Sequence, residues 1–323
     1  MASAGGAVAV AGLVLLAFTV GPGRAGGAPR PGPTAALTIA SPRTADPCSL
    51  TTVTAFTRFG DPALSTDYGN FNRCDVLVQG SGGSDVDVRV ELEVPGWLAA
   101  EGWYGDPKLG QKPKPGAVTT VKSPAAGTEC DRALILPDGN RVLITAEQDG
   151  TGRADLCAMA DTQTRLSLTA LRQTGVRPRA PLGRASLANQ NACSLLDPRA
   201  LDAAPGIAGS TRTEGFGDWE CRWDSRSSNS YIELLFDQGD TLDSSDGQPV
   251  RLHGRTAYVQ SDGDGTGTCV AQLVDRQYTD ADGQATQDRV RLTFGGDGSP
   301  SQLCGSVTRL ADDIALRLQS PSA

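Results

Sequence analysis

Histidine occurs once in the 323 residues, at His253, and lysine four times, at Lys108, Lys112, Lys114 and Lys122. A single imidazole excludes an H-E-x-x-H zinc site and two Ser-His-Asp sites, and within Val250-Arg251-Leu252-His253-Gly254 it reads as a structural or surface residue. There is no C-x-x-C pair, which argues against a zinc ribbon and a thioredoxin-type redox site. Positive charge is also short: 29 Lys and Arg stand against 37 Asp and Glu, a formal charge of -8. That balance disfavours a nucleic-acid partner, because phosphate binding needs concentrated positive charge. Gly-rich stretches such as Gly80 to Gly83 lack the lysine and the strand-to-helix setting of a phosphate loop, and no cofactor is expected.

Cysteine is present, and its placement organises the chain. The eight fall into two sets of four: Cys48, Cys74, Cys130 and Cys157, then Cys193, Cys221, Cys269 and Cys304, with a similar short, long, short rhythm. Cys48-Ser49-Leu50 opens the first set and Cys193-Ser194-Leu195 the second. One module is therefore used twice, over residues 46–173 and 191–320, with a linker at 174–190. An even number of cysteines without metal-ligand spacing points to four disulfides in an oxidising compartment. Local pairing is the simplest expectation: Cys48 with Cys74, Cys130 with Cys157, Cys193 with Cys221, and Cys269 with Cys304.

Ahead of the modules, Ala7 to Val20 is an uninterrupted apolar run followed by Gly21, Pro22 and Gly23. Its length suits a signal-peptide core better than a full membrane span, so residues 1–25 are read as a signal peptide or membrane anchor. Residues 26–45, rich in Ala, Pro, Gly and Thr, read as a disordered linker.

Each module carries the same sequence of signals. Thr52 is expected to cap a short helix bearing Val53, Phe56 and Phe59; Asp197 caps its counterpart, with Pro198 at the first helical position. Asp85 to Val94 alternates strictly, with Val and Leu on one face, which predicts a half-buried antiparallel strand. Tyr231 to Phe236 answers it in the second module. A hairpin is expected around Pro137-Asp138-Gly139-Asn140, and another pairs Val270 to Val274 with Arg289 to Phe294. Each module closes with a helix begun by Leu-Cys: Leu303, Val307, Leu310, Ile314 and Leu318 recur at helical spacing, whereas Cys157, Ala160, Leu168 and Leu171 form a less regular side. The fold class is thus α+β: two tandem modules, each an antiparallel sheet with N- and C-terminal helices and two disulfides.

These elements, D-P-C-S-L or N-A-C-S-L-L, a helix, a C-x-W strand, a G-T-x-C or G-T-G-T-C strand and a final L-C helix, resemble an actinobacterial exported domain of unknown function. That domain is found in lipoproteins and surface proteins. The layout is similar to the extracellular sensor domains of some mycobacterial Ser/Thr kinases. The resemblance implies an envelope location and supplies no catalytic residues. The chain departs from lipoprotein members in having no cysteine close behind the apolar run.

Two surfaces invite a functional reading. The first module inserts a Pro- and Gly-containing stretch in which Trp97, Trp103 and Tyr104 lie close to Lys108, Lys112 and Lys114. Aromatic faces and flexible cations suit stacking on sugars or holding an anionic envelope polymer, while sheet-edge packing is the plainer account. Asp262-Gly263-Asp264-Gly265 looks like a calcium loop, but the twelfth position holds Leu273 in place of a bidentate acid, so a surface turn is expected. The function expected is a non-enzymatic, extracytoplasmic binding or sensing protein of an actinobacterial cell envelope, released or tethered through residues 7–20. Its partner would be an envelope component or small extracellular ligand. A secreted carboxylate-dependent hydrolase and an inert envelope spacer are the alternatives.

Overall fold

Alternation of apolar and polar residues dictates two antiparallel sheets in the computed structural model, which describes residues 37–95, 112–150, 152–280 and 283–318. Contacts divide the chain into Met1–Thr34, outside the described residues, and Ala35–Ala323, which holds both sheets.

The first sheet contains β1 (Asp61–Ser65), β3 (Arg73–Gln79), β4 (Asp85–Glu93), β5 (Thr119–Lys122), β6 (Glu129–Ile135) and β7 (Arg141–Asp149), in the order β1-β3-β4-β7-β6-β5. The second contains β8 (Thr211–Glu214), β9 (Glu220–Asp224), β10 (Tyr231–Asp240), β11 (Gln248–Leu252), β12 (Arg255–Ser261), β13 (Thr268–Thr279) and β14 (Ala285–Gly295), in the order β11-β12-β13-β14-β10-β9-β8. Read from the other edge, β8-β9-β10-β14-β13-β12 repeats the first order, with β11 added. The repeat inferred from cysteines is a repeat of topology.

The disulfides obey it. All four expected pairs form, Cys48–Cys74, Cys130–Cys157, Cys193–Cys221 and Cys269–Cys304. In each module one bridge ties the N-terminal segment to the second strand of this common order, and the other ties the fifth strand, β6 or β13, to the closing helix. Four disulfides suggest an oxidising environment outside the cytoplasm. Among the described residues no helix is long and apolar enough to cross a membrane, and Ala7 to Val20 lies outside them.

The alternating strand is β4, whose Val86, Val88, Val90 and Leu92 are buried under α1 (Leu156–Gln173). The face of α1 turned to the core differs from expectation: Cys157 and Leu168 are only half-buried, while Gln163 and Ser167 are fully enclosed. The cause is a polar clamp. Gln163 Nε2 donates to Leu50 O at 2.9 Å, Ser167 Oγ to the same oxygen at 3.3 Å, and Thr51 Oγ1 donates to Gln163 Oε1 at 2.7 Å.

That clamp also limits the N-terminal helix. Leu50 O is held by α1 and Thr51 is extended, so the segment is broken into 3-10 turns, Pro47–Leu50 and Val53–Phe56. In the second module the counterpart is a 3-10 turn, Ala192–Ser194, followed by the five-residue α2 (Pro198–Asp202), which Asp197 caps by accepting from Arg199 N at 2.8 Å.

The last helix, α3 (Pro300–Leu318), starts a turn earlier than Leu303-Cys304. Ser299 caps it, Pro300 takes the first position, and Gln302 closes a capping box: Gln302 Oε1 accepts from Ser299 N at 2.9 Å, and Ser299 Oγ from Gln302 N at 3.4 Å. Its stripe of Leu303, Val307, Leu310 and Ile314 is buried as the spacing requires.

The two modules share one apolar cluster, and β2 (Gly69–Asn70) of the first pairs with β10 of the second, Asn70 opposite Asp237. The expected linker is exposed in its middle but enters the seam at its ends. Arg179 donates to Ala45 O at 2.8 Å and to Phe71 O, lies 4.9 Å from the Trp219 ring centroid, and Leu187 is buried.

Candidate functional site

Period-two geometry sends the polar residues of β4 away from the core, and register gathers others beside them. Asp75 stands opposite Arg89, Leu77 opposite Asp87, Asp87 opposite Glu147, and Glu147 opposite Glu129. The outer face of the first sheet therefore collects Asp75, Asp87, Glu91, Glu93, Glu129, Asp131 and Glu147 around Arg73, Arg89 and Arg141. Arg73 binds Asp75 at 2.9 Å and Asp87 at 2.9 Å, and Arg89 binds Glu147 at 2.8 Å.

Burial raises the Asp75 carboxyl against the opposing pull of Arg73. Burial and the neighbouring Asp75 raise that of Asp87 to about 7. Burial alone would lower the Arg73 guanidinium, but the charges and hydrogen bonds of the two aspartates outweigh it, so Arg73 stays charged. Burial and Glu147 raise Glu129 as well. Burial is the leading cause of each of these shifts, and neighbouring carboxylates on the same rigid face add to it.

The second sheet balances its charges more evenly. Arg222 binds Asp224 at 2.9 Å and Glu233 at 2.7 Å while lying 3.9 Å from the Tyr231 ring centroid. Arg289 binds Asp237 at 2.6 Å, and Arg276 binds the fully buried Asp288 at 2.7 Å.

A third polar group occupies the seam. Asn72, fully buried, donates through Nδ2 to Glu93 Oε1 at 2.7 Å and to Leu92 O at 3.0 Å; Asn70 Nδ2 donates to Glu220 Oε1. Phe71 and Trp219 pack beside them with ring centroids 5.7 Å apart. Gly217 permits this, since a β-carbon there would come within 2.7 Å of the Trp219 ring and its φ is +66°.

Of the residues expected to bind ligand, Trp97, Trp103, Tyr104 and Lys108 lie outside the described residues. Lys112 and Lys114 are exposed on the return to β5, where Lys114 O accepts from Ala117 N at 3.2 Å. Lys122, on β5, pairs with Asp161 of α1 at 3.0 Å. The structure brings neither Lys112 nor Lys114 to a described partner side chain.

The remaining candidates resolve into structural roles. His253 has a φ of +44° in the two-residue turn joining β11 to β12, and its Nε2 lies 3.4 Å from Asp312. In the Asp262–Gly265 turn, Asp262 Oδ1 accepts from Gly267 N at 2.9 Å, Asp264 Oδ2 accepts from Thr293 Oγ1 at 2.6 Å, and Asp264 Oδ1 pairs with Arg291. The carboxylates of that turn bind their own chain, as a surface turn requires. Trp219 and Trp223 are buried beside Cys221.

Sequence reasoning missed the acidic face and the seam group. The first was available from the alternation of β4, which puts Asp85, Asp87, Arg89, Glu91 and Glu93 on one side; the second joins residues of different modules and left no local signal.

No protein-family model and no curated protein matches the chain. Among solved structures, the di-domain ARO/CYC StfQ from the steffimycin biosynthetic pathway is similar over 85% of this chain and 96% of its own, at 13% identity and a TM-score of 0.16. A likeness at that level carries no argument.

Proposed function

We propose that the chain is a non-enzymatic binding or sensing protein that works outside the cytoplasm in an actinobacterial cell envelope, built from two copies of one sheet module with helices at its ends. The observation that carries this reading is the outer face of the first sheet, where Asp87, Glu91, Glu129, Asp131 and Glu147 surround only a few guanidiniums on paired strands. Charges fixed on a rigid sheet attract and orient a partner of opposite sign without a loop having to be ordered. The partner is an envelope component or small extracellular ligand that presents cationic groups. The insertion bearing Trp103 and Lys112 leaves the sheet after β4 and rejoins it at β5, so its sugar-stacking role is part of the same proposal.

The test is thermal melting of the chain from about residue 40 onward, against cationic peptides, polyamines, envelope glycans and teichoic-type polymers. A ligand that binds the native state raises the melting temperature. A rise that disappears in Glu147→Lys supports the acidic face. A rise that survives Glu147→Lys and disappears in Lys112→Ala assigns binding to the insertion. No rise with any member of the panel overturns the binding reading in favour of the inert spacer.

One observation favours a second reading. Glu93 and Glu220 are buried together at the seam, with carboxylate oxygens within 4.8 Å. Retaining glycosidases hold two carboxyl groups about 5–5.5 Å apart. Turnover of aryl glycosides that is abolished by Glu93→Gln would establish the carboxylate-dependent hydrolase.

A further inference from the structure

The order of the second sheet places β14, β13 and β12 between β10 and β11, so the connecting residues 241–247 pass three strands before β11 begins. Beside that connection lies a cavity of about 400 Å³, within the ~300–1,000 Å³ range of small-molecule sites. Its walls come from Leu242 on the connection, Arg255, Thr256 and Tyr258 on β12, Asp275 on β13 and Gln287 on β14. A bulge helps to shape it. Val274 pairs with Arg289 and Arg276 with Asp288, so Asp275 is an extra residue on β13, and such bulges re-aim side chains. A separate observation concerns Gln287. It is 0% exposed, yet its Nε2 and Oε1 are both enclosed with no hydrogen-bond partner among the described residues. Buried carboxamides are normally paired, because the water they lose has to be replaced. Neither cross-strand neighbour supplies a bond: Gly239 on β10 has no side chain, and Gln277 on β13 is exposed. Arg255 repeats the pattern at one atom. Its Nη1 donates to Asp275 O at 2.6 Å and pairs with Asp275 Oδ1 at 2.8 Å, and Nη2 donates to Leu318 O at 3.3 Å, while Nε is enclosed and unpartnered.

We propose that this cavity binds an uncharged sugar ring, with the Gln287 carboxamide and Arg255 Nε on its hydroxyls and the Tyr258 ring against its apolar face. A hydroxyl both donates and accepts, so neighbouring hydroxyls complement a carboxamide, which also offers both. Charge sets the class. Arg255 is neutralised by Asp275, and Arg276, also on the wall, by Asp288 at 2.7 Å, so among the described residues no unpaired cation lines the cavity for a carboxylate or phosphate. Thr256 adds a donor: its Oγ1 accepts from Arg251 at 2.7 Å and keeps its own proton to give. Residues directly opposite on antiparallel strands share a face, so the ligand reaches Gln287 when Gln277 turns outward. The site belongs to the second module and does not depend on the acidic face or the insertion of the first.

The test titrates the chain with glucose, galactose and mannose, each as the free sugar and as the methyl glycoside, and follows heat and melting temperature. At least one ring is expected to bind at one equivalent, and its uronic acid at least about tenfold more weakly, since a carboxylate would meet no free cation. Equal binding of free sugar and methyl glycoside supports a ring at the end of a glycan; preference for the free sugar supports a small metabolite. Gln287→Met keeps the straight side chain and removes both polar atoms. It should weaken sugar binding at least about tenfold and, without sugar, melt no lower than the unaltered chain, because an apolar group suits an unpaired buried position. A lower melting temperature would show that Gln287 has a structural partner, against the proposal. Tyr258→Ala, at the half-buried wall, should weaken binding by a similar factor and decides alone should Gln287→Met not fold. No sugar bound by the unaltered chain, equal binding of the uronic acid, or binding that survives Gln287→Met and is lost in Glu147→Lys or Lys112→Ala would overturn the assignment.

Discussion

Asp87 shows how far a surface strand can alter a single side chain. It sits on the outer face of β4, accepts from Arg73 at 2.9 Å, and is crowded by burial and by Asp75, which together raise its carboxyl to about 7. In the unfolded chain it titrates near 4. Between those values the folded state binds more protons than the unfolded one, so Asp87 contributes stability at acid pH that is lost as pH rises from about 4 through about 7. Asparagine mimics the protonated form at every pH. Asp87→Asn should therefore melt higher than the unaltered chain at pH 8 and show no such gain at pH 5. Equal shifts at both values would mean that the aspartate is ionised throughout. The sequence carried half of this. Alternation placed Asp87, Arg89 and Glu91 on one face, but only the register that sets Asp75 opposite Arg89 and Asp87 opposite Glu147 reveals the crowding.

Elements with strong periodicity were legible, and those fixed by distant hydrogen bonds were not. The stripe of α3 was plain because Leu303, Val307, Leu310 and Ile314 repeat at helical spacing and all meet apolar strands. The core face of α1 was obscure because Gln163 and Ser167, polar residues that suggest solvent, are buried to hold Leu50 O. The same bonds explain why the segment after Cys48 makes 3-10 turns in place of a longer helix. For α3 the expectation is sharp. Ile314→Ala empties a fully buried position and should cost about 2–5 kcal/mol in urea unfolding. Leu316→Ala, at a position 49% exposed on the opposite side, should stay within about 0.5 kcal/mol. Similar losses at the two sites would place the wrong face of α3 against the sheet.

At the scale of the whole molecule, reading two modules from eight cysteines captured the topology but not the union of their cores. The seam joins Asn72 to Glu220, 148 residues apart, and Phe71 to Trp219, so no window of sequence contains it. Trp219 is its centre. It is fully buried, donates through Nε1 to Ala188 O at 3.0 Å, packs on Phe71 and Phe216, and is covered by Arg179. Modules that share buried residues in this way cannot lose one core without exposing part of the other, so the unaltered chain should unfold in one calorimetric transition whose calorimetric and van't Hoff enthalpies agree. Trp219→Ala removes the shared side chain at a cost of about 3–5 kcal/mol. It should divide that transition into two, because each sheet keeps its own pair of disulfides and its own helix. Two transitions in the unaltered chain would show instead that the modules fold independently and merely touch.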